Sequence, residues 1–324
     1  MISIVCPFYN EEQSVGALFS RLIPALDRLG ESYEVVCVND GSRDGTLEAL
    51  LAMRAMRPHV RVIDLSRNFG KEAALTAGID AARGDAVIPI DADLQDTPEL
   101  IVRLVHEWKR GFEVVLAKRA DRRADSLAKR LAALLFYKVH NAISEPEIPE
   151  NVGDFRLMDR KVVDAIKRLP ERRRFMKGIF AWVGFRSTTI EYVRDARVAG
   201  QSRFSAWKLW NLALEGLTSF STAPLRVWTY LGLVVASLAF VYAAFIIMRT
   251  VIHGIDVPGY ASLLAVTLFL GGIQLIGLGV LGEYLGRVYS EAKQRPIYIV
   301  RDAHEGSKAP RGEAQIHEPD EVTQ

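Results

Sequence analysis

Two long uncharged runs near the C-terminus constrain this chain more than any other feature. Val227–Met248 is 22 residues without a charge, and Val257–Gly282 is 26 more. A helix needs about 20 apolar residues to cross the hydrocarbon core of a bilayer, which is about 30 Å thick. Two buried core helices are the weaker alternative, because core helices rarely carry such long unbroken apolar stretches. The runs therefore predict membrane-spanning helices over 225–249 and 261–286, joined by a short loop over 250–260.

Basic residues cluster at one side of this predicted hairpin. Arg226 precedes it, and Arg287 and Lys293 follow it. Because basic residues concentrate on the cytoplasmic side of membrane helices, both ends of the hairpin are expected in the cytoplasm and the loop on the other side. The N-terminal residues lack the basic start and cleavage site of a signal peptide. We therefore expect a multi-pass protein of the cytoplasmic (inner) membrane, with a cytoplasmic domain over 1–202 and a cytoplasmic tail over 287–324.

The segments that flank the hairpin differ in their patterns. Within 203–224, Trp207 and Trp210 share one helical face and Lys208 lies on the other. This pattern is typical of amphipathic juxtamembrane helices at a membrane interface, and a helix packed on the domain is the alternative. The tail is polar after Arg301, has no periodicity and is expected to be disordered from about residue 303.

Short apolar runs rich in β-branched residues alternate with helical patterns in the first domain. Between the first two runs, Val15, Leu18, Leu22 and Leu26 recur at helical spacing. This alternation predicts βαβ units, and hence an α/β domain whose mostly parallel sheet has helices on both faces. Ligands of such sheets bind outside the carboxyl ends of the strands. The predicted strands are Ile2–Phe8, Tyr33–Asn39, Arg61–Leu65, Ala86–Ile90 and Phe112–Ala117.

Polar segments follow four of these strands, over 7–12, 39–46, 66–71 and 91–96. One acidic turn alone is more often a helix cap than a site. Four polar segments at the ligand-binding edge of one sheet favour a site instead.

The pair Asp91 and Asp93, separated by one residue, indicates a metal site. Carboxylate oxygens suit a hard divalent cation, Mg²⁺ or Mn²⁺, that also holds a substrate diphosphate. An EF-hand is excluded, because its glycine and distal glutamate are missing. The chain also lacks the glycine-rich and serine motifs of P-loop NTPases, dinucleotide dehydrogenases and α/β-hydrolases. A net charge of +2 is not that of a nucleic-acid-binding polycation, and no nucleic-acid partner is expected.

Together these motifs resemble family 2 glycosyltransferases, which have the Rossmann-like GT-A fold. The resemblance covers about residues 1–222 and rests on PFYNEE, VNDGSRDGT, Asp91-Ala92-Asp93 and the later Gly153-Asp154-Phe155-Arg156. The C-terminal hairpin narrows it to polyprenyl-phosphate glycosyltransferases, the group that includes dolichol-phosphate mannose synthase. Within that group the chain is most similar to bacterial bactoprenol-phosphate glucosyltransferases.

The resemblance implies roles for individual positions. Asp93 matches the direct metal ligand, Asp91 a residue near ribose and metal, and Gln95 a residue near the metal and diphosphate. Asp154 matches a carboxylate near the transferred sugar, which either orients the sugar or acts as a base. The remaining positions match the nucleotide-sugar site: Pro7, Tyr9, Asn10 and Glu11 around base and ribose, Asp40 on the base, and Lys71 in a segment closing over the nucleotide.

A basic stretch follows the fifth predicted strand. A solvated helix face is one interpretation, and a cradle for an acceptor phosphate is the other. Arginine suits bidentate phosphate contacts. The resemblance implies acceptor-phosphate roles for Arg119, Arg122, Lys129, Arg130 and Arg203.

The expected activity is metal-dependent, inverting transfer of a hexose to undecaprenyl or another polyprenyl phosphate. Resemblance favours glucose from UDP-glucose, with mannose from GDP-mannose or a modified arabinose from UDP as alternatives. The product would be a lipid-linked sugar donor for cell-envelope glycans. A polysaccharide synthase is disfavoured because Q-x-x-R-W is missing, and a transport subunit because two helices are too few. Glycines in the second apolar run indicate close helix packing, and a homo-oligomer is expected.

Overall fold

The computed structural model describes residues 1–120, 152–172, 174–192, 221–253 and 259–306. The strands are β1 Ile2–Phe8, β2 Tyr33–Asn39, β3 Val60–Leu65, β4 Ala86–Pro89, β5 Val114–Arg119, β6 Val152–Asp159, β7 Ser187–Tyr192 and β8 Val300–His304. The helices are α1 Glu12–Asp27, α2 Thr46–Met56, α3 Lys71–Ala81, α4 Ile101–Lys109, α5 Arg160–Arg168, α6 Met176–Trp182, α7 Ala223–His253 and α8 Tyr260–Ala292. All five predicted strands are present, two of them with the predicted bounds.

These strands form one mixed sheet in the order β7-β5-β6-β4-β1-β2-β3-β8. The pairs β1–β2, β1–β4, β2–β3 and β5–β7 are parallel, which confirms the expected α/β organisation. β6 is antiparallel to β4 and β5, and β8 is antiparallel to β3. Because they run in the opposite direction, β6 and β8 bring their first residues to the edge where β1 to β4 end.

The strands are apolar on both sides because helices cover both faces of the sheet. Ile4 of β1 packs in a layer with α1, α2 and α4, whereas the adjacent Val5 packs with α3, α5 and α6. Cys6 and Cys37 lie opposite each other on β1 and β2 as buried free thiols. Burial raises the pKa of both thiols, so they behave as small apolar side chains.

The tail carries a strand that the sequence analysis did not predict. β8 spans Val300–His304 at the edge of the sheet and ends close to residue 303, from about which disorder is expected. Beyond β8, Glu305 forms ion pairs with Arg61 and Arg83. A strand that pairs on one side only needs few apolar residues, so its sequence lacks the pattern of a buried strand.

The two apolar runs form α7 and α8, whose side chains are largely exposed. Each contains a stretch long and apolar enough to cross a membrane, Leu225–Tyr242 and Phe269–Ala292. The helices touch where Gly277 faces the ring of Trp228. At 1.5 Å per residue, the 33 residues of α8 extend about 50 Å, which exceeds a hydrocarbon core of about 30 Å. Residues 203–220 of the predicted amphipathic segment and residues 254–258 of the predicted loop lie outside the described residues.

Candidate active site

The first two loops at the carboxyl edge are joined by hydrogen bonds. Tyr9 is exposed directly after β1, and Pro7 lies within β1 opposite Val38 of β2. The Asn10 backbone N–H donates to Ser42 Oγ at 3.0 Å, and the Asn10 side-chain oxygen accepts from the backbone of Arg43 at 2.8 Å. These contacts hold the loop after β1 against the loop after β2.

Asp40 connects the second loop to the third. Its Oδ1 accepts from the Phe69 backbone N–H at 2.7 Å, and its Oδ2 accepts from that of Gly70 at 2.9 Å. Burial raises the pKa of Asp40, against the effect of these two backbone bonds and of Arg67. Both oxygens of Asp40 thus accept a backbone hydrogen bond that fixes the shape of this loop.

Gly41 lets these loops approach closely. Its φ is +60°, and a methyl group at this position would lie 2.4 Å from the backbone carbon of Arg67. A residue with a side chain would therefore be strained and would also clash with backbone. The glycine of the VNDGS segment is required by this contact.

Lys71, the first residue of α3, bridges two carboxylates. Its Nζ lies 2.7 Å from Asp91 Oδ1 and 2.7 Å from Asp154 Oδ2. Burial opposes the ammonium charge, but both carboxylates outweigh it and raise the pKa of Lys71. Burial likewise opposes ionisation of Asp154, but Lys71 and Lys177 outweigh it and lower the pKa of Asp154. Lys71 and Asp154 are therefore both ionised at neutral pH.

Asp91 and Asp93 are both partly exposed, whereas Ala92 between them is buried in the core. Asp93 Oδ1 accepts from the Gln95 backbone N–H at 3.2 Å, and this turn includes Leu94 at φ 57°. Within the described residues, no cluster of three or more acidic, histidine or cysteine side chains forms a complete metal cage. One or two carboxylates still fit Mg²⁺ or Mn²⁺, since these ions can take their remaining ligands from substrate phosphate and water.

Arg119 is the last residue of β5 and lies at the same edge of the sheet. A methyl group at Gly153 would lie 3.5 Å from its Nη2, so Arg119 reaches the segment that carries Asp154. Its Nε is buried with no hydrogen-bond partner in the described parts of the chain. The other predicted acceptor-site residues, Arg122, Lys129, Arg130 and Arg203, lie outside the described residues.

Comparison with known families agrees with this arrangement. The family model for glycosyl transferase family 2 matches residues 3–167, which include every loop described so far. The chain belongs to glycosyltransferase family 2. A second model, the GtrB C-terminal hairpin, matches residues 223–288 of this glycosyltransferase and hence most of α7 and α8. The enzyme thus joins a GT-A catalytic domain to a hairpin that associates it with a membrane.

Relatives extend the similarity over nearly the whole glycosyltransferase. An uncharacterized glycosyltransferase of Synechocystis sp. is 56% identical over 93% of this chain and 95% of its own length. The SfII prophage-derived bactoprenol glucosyl transferase of Shigella flexneri is 55% identical over 94% of this chain and 99% of its own. The prophage bactoprenol glucosyl transferase homolog of Escherichia coli K12 is 56% identical over 93% and 98%.

Two residues of the glycosyltransferase beside Lys71 and Asp154, the half-buried Glu72 and the buried Arg156, were assigned no role from the sequence. Glu72 follows Lys71, and its pKa is raised to about 7 by burial and by the charge of Asp154. Arg156 lies over the ring of Phe180 at 4.2 Å and donates to the Gly153 carbonyl at 2.7 Å. Burial lowers the pKa of Arg156 to about 10, although Asp154 opposes this shift. Arg156 was visible in the GDFR motif, whereas no local signal distinguishes Glu72 from a surface glutamate of α3.

Proposed function

We propose that this glycosyltransferase transfers glucose from UDP-glucose to undecaprenyl phosphate or a similar polyprenyl phosphate. The observation that carries the proposal is the 55% identity to a bactoprenol glucosyl transferase over 94% of this chain and 99% of that one. A hairpin of two membrane-length helices fits an acceptor that resides in lipid.

The donor nucleotide would lie across the carboxyl edge of β1 to β4. Tyr9 is exposed there, and Asp40 keeps the loop at Phe69 and Gly70 in place. Asp93, with Asp91, would hold Mg²⁺ or Mn²⁺ beside the donor diphosphate, and Gln95 lies next to Asp93. When bound, the ion would stabilise the negative charge of the departing diphosphate.

Transfer would be a single displacement. A phosphate oxygen of the lipid forms a bond to the anomeric carbon of glucose, the bond from that carbon to the diphosphate oxygen breaks, and UDP leaves with the electron pair. A phosphomonoester has a second pKa of about 6, so the acceptor is already an anion at neutral pH. No protein base would then be needed to activate the acceptor. Because the transfer is a single displacement, the configuration at the anomeric carbon would invert.

Asp154 would orient the sugar or stabilise positive charge at its ring. Its ion pair with Lys71 at 2.7 Å and its lowered pKa keep it ionised, which makes it a weak base at neutral pH. The acceptor phosphate would lie near Arg119, with Arg122, Lys129, Arg130 and Arg203 as further proposed contacts. The catalytic domain and the tail would be cytoplasmic, and assembly into a homo-oligomer stays a prediction.

The test incubates membranes containing the enzyme and undecaprenyl phosphate with radiolabelled UDP-glucose. Separate reactions with other UDP-sugars and GDP-mannose identify the donor, and EDTA followed by Mg²⁺ or Mn²⁺ tests the metal. The expected result is label in the organic extract from UDP-glucose only, restored by metal and lost in Asp93→Ala. Label from another donor would show that the enzyme transfers a sugar other than glucose. The absence of lipid-linked label with every donor would overturn the proposal.

A further inference from the structure

The tail beyond the membrane hairpin adds a strand to the edge of the catalytic sheet. β8 pairs antiparallel with β3, with Val300 opposite Leu65 and His304 opposite Val62. Just before β8, the Ile299 carbonyl accepts from the Ser66 backbone N–H at 2.9 Å. The chain that leaves α8 is therefore bound to the first residue of the loop 66–70, which Asp40 holds on its other side.

Arg301 makes the side-chain contacts of this junction. Its Nη1 lies 3.3 Å from Asp64 Oδ2, and its Nη2 donates to the Ser66 carbonyl at 2.7 Å. The Asp64 side chain is only 3% exposed, whereas that of Arg301 is 55% exposed. An exposed ion pair contributes little, but removing a partner from a buried carboxylate has a larger effect, because the buried oxygen loses its hydrogen bond.

Asp64 extends the contact to the second loop. Its Oδ1 accepts from Asn39 Nδ2 at 2.7 Å, and Asn39 Oδ1 accepts from the Ser42 backbone N–H at 3.3 Å. Asp40, the next residue, holds the backbone of Phe69 and Gly70. Arg301 thus contacts one end of a buried chain of polar side chains that links both donor-side loops.

We propose that Arg301 is a positioning residue for the nucleotide-sugar site, through which the tail of the membrane hairpin holds the loops 39–44 and 66–70 in their donor-binding arrangement. The proposal rests on the proposed function for the identity of the donor. Arg301 itself touches neither Lys71 nor the acidic pair Asp91 and Asp93 among the contacts described, so its effect reaches the donor through Asp64 and Ser66. Losing it should weaken donor binding more than it slows transfer.

Glu305 provides a matched control on the same tail. It pairs with Arg61 at 3.1 Å and with Arg83 at 2.9 Å, and its carbonyl accepts from Arg54 Nε at 2.7 Å. These contacts lie at the opposite end of β8, toward the start of β3. Glu305→Gln therefore weakens attachment of the tail without touching Asp64 or Ser66.

The experiment compares full-length Arg301→Gln, Arg301→Lys and Glu305→Gln, each purified in lipid nanodiscs. We expect Arg301→Gln to raise KM for UDP-glucose roughly 5- to 20-fold with kcat within about twofold, as expected for loss of a charged hydrogen bond. Arg301→Lys, which retains one donor group, should give an intermediate KM. Glu305→Gln should leave KM unchanged even if its melting temperature falls as much as that of Arg301→Gln.

Amide hydrogen exchange of the unliganded enzyme gives a readout that does not depend on the donor. Peptides covering 66–71 should exchange faster in Arg301→Gln than in the wild type, with Glu305→Gln like the wild type. Unchanged exchange in Arg301→Gln, or equal increases in both variants, would overturn the positioning role. If UDP-glucose is not the donor, the exchange result still decides the role of Arg301, while the labelling experiment alone decides the donor.

Discussion

The Nζ atom of Lys71 lies 2.7 Å from Oδ2 of Asp154, although these residues come from α3 and β6 and are 83 positions apart in the chain. The same ammonium group contacts Asp91. Lys71 therefore joins the proposed metal side of the site to the proposed sugar side. Its charge lowers the pKa of Asp154 and lies between two carboxylates of like charge.

Replacing Lys71 by methionine should move the acid limb of activity to higher pH. Lys71 holds the pKa of Asp154 below its usual value, so in the wild type the active carboxylate is lost only when pH falls through that lowered pKa. Without Lys71, burial raises the pKa of Asp154, and activity is lost at a higher pH. At neutral pH we expect kcat/KM to fall roughly 100-fold. Profiles of kcat/KM from pH 5 to 8 measure both effects by comparison with the wild type, in which the acceptor phosphate titrates at a pKa of about 6.

Lys161→Met is the control for this change. Lys161 is 74% exposed at the start of α5, and its contact with Glu113 is 3.8 Å long. The dependence of kcat/KM on pH in Lys161→Met should match that of the wild type. An unshifted acid limb in Lys71→Met would contradict the assigned ion pair.

Glu72→Gln should flatten the dependence of stability on pH. The pKa of Glu72 is raised from 4.5 to about 7 in the folded chain, so between these values the folded state binds the proton that the unfolded state has lost. The contribution of Glu72 to the free energy of unfolding is therefore greatest below pH 4.5 and falls as pH rises toward 7. Glutamine cannot titrate, so melting temperatures of the variant should change less between pH 5 and 7.5. The exposed Glu48→Gln serves as control, and equal slopes for wild type and Glu72→Gln would exclude the raised pKa.

The sequence was sufficient for the part of the site carried by parallel strands. Asp40 and Asp91 each follow an apolar run, and parallel strands bring their carboxyl ends to one edge whatever their order. Lys71 could be placed there for the same reason, since it follows β3 by a short loop. The contacts among these residues were not predictable, because they depend on side-chain packing between separate elements.

The antiparallel strands are what sequence reasoning missed. Asp154 lies at the start of β6 and Arg301 near the start of β8, and only reversed strand direction brings these positions to the catalytic edge. Neither β6 nor β8 has the continuous apolar pattern of β1. In addition, the sequence of a single strand does not indicate its position or direction in the sheet. The GDFR motif drew attention to Asp154 through resemblance, whereas nothing comparable pointed to Arg301.

Gly41→Ala should weaken donor binding more than Gly30→Ala, although both substitutions strain the backbone to a similar extent. Gly41 and Gly30 have φ values of +60° and +64°, but only Gly41 faces backbone, at 2.4 Å from the Arg67 carbon, whereas Gly30 has nothing within 4 Å. Both substitutions incur about 1 kcal/mol of left-handed strain. Gly41→Ala must in addition displace the loop 66–70, so KM for the nucleotide sugar should rise about tenfold or more. Equal KM values for the two variants would show that the contact does not shape the donor site.

Arg119→Ala should raise KM for lipid phosphate more than KM for the nucleotide sugar. Arg119 stands at the end of β5 beside Gly153 and hydrogen-bonds to Tyr192, while its buried Nε has no hydrogen-bond partner among the described residues. Losing one charged hydrogen bond to phosphate corresponds to a KM increase of roughly 10- to 100-fold. Steady-state titration of each substrate at saturating concentration of the other measures the two effects. Arg110→Ala is the control, because Arg110 is exposed, is paired with Glu107 at 2.9 Å and precedes the start of β5, whereas Arg119 is at its end. A larger increase for the nucleotide sugar would instead assign Arg119 to the donor, where it would neutralise the diphosphate and not the acceptor.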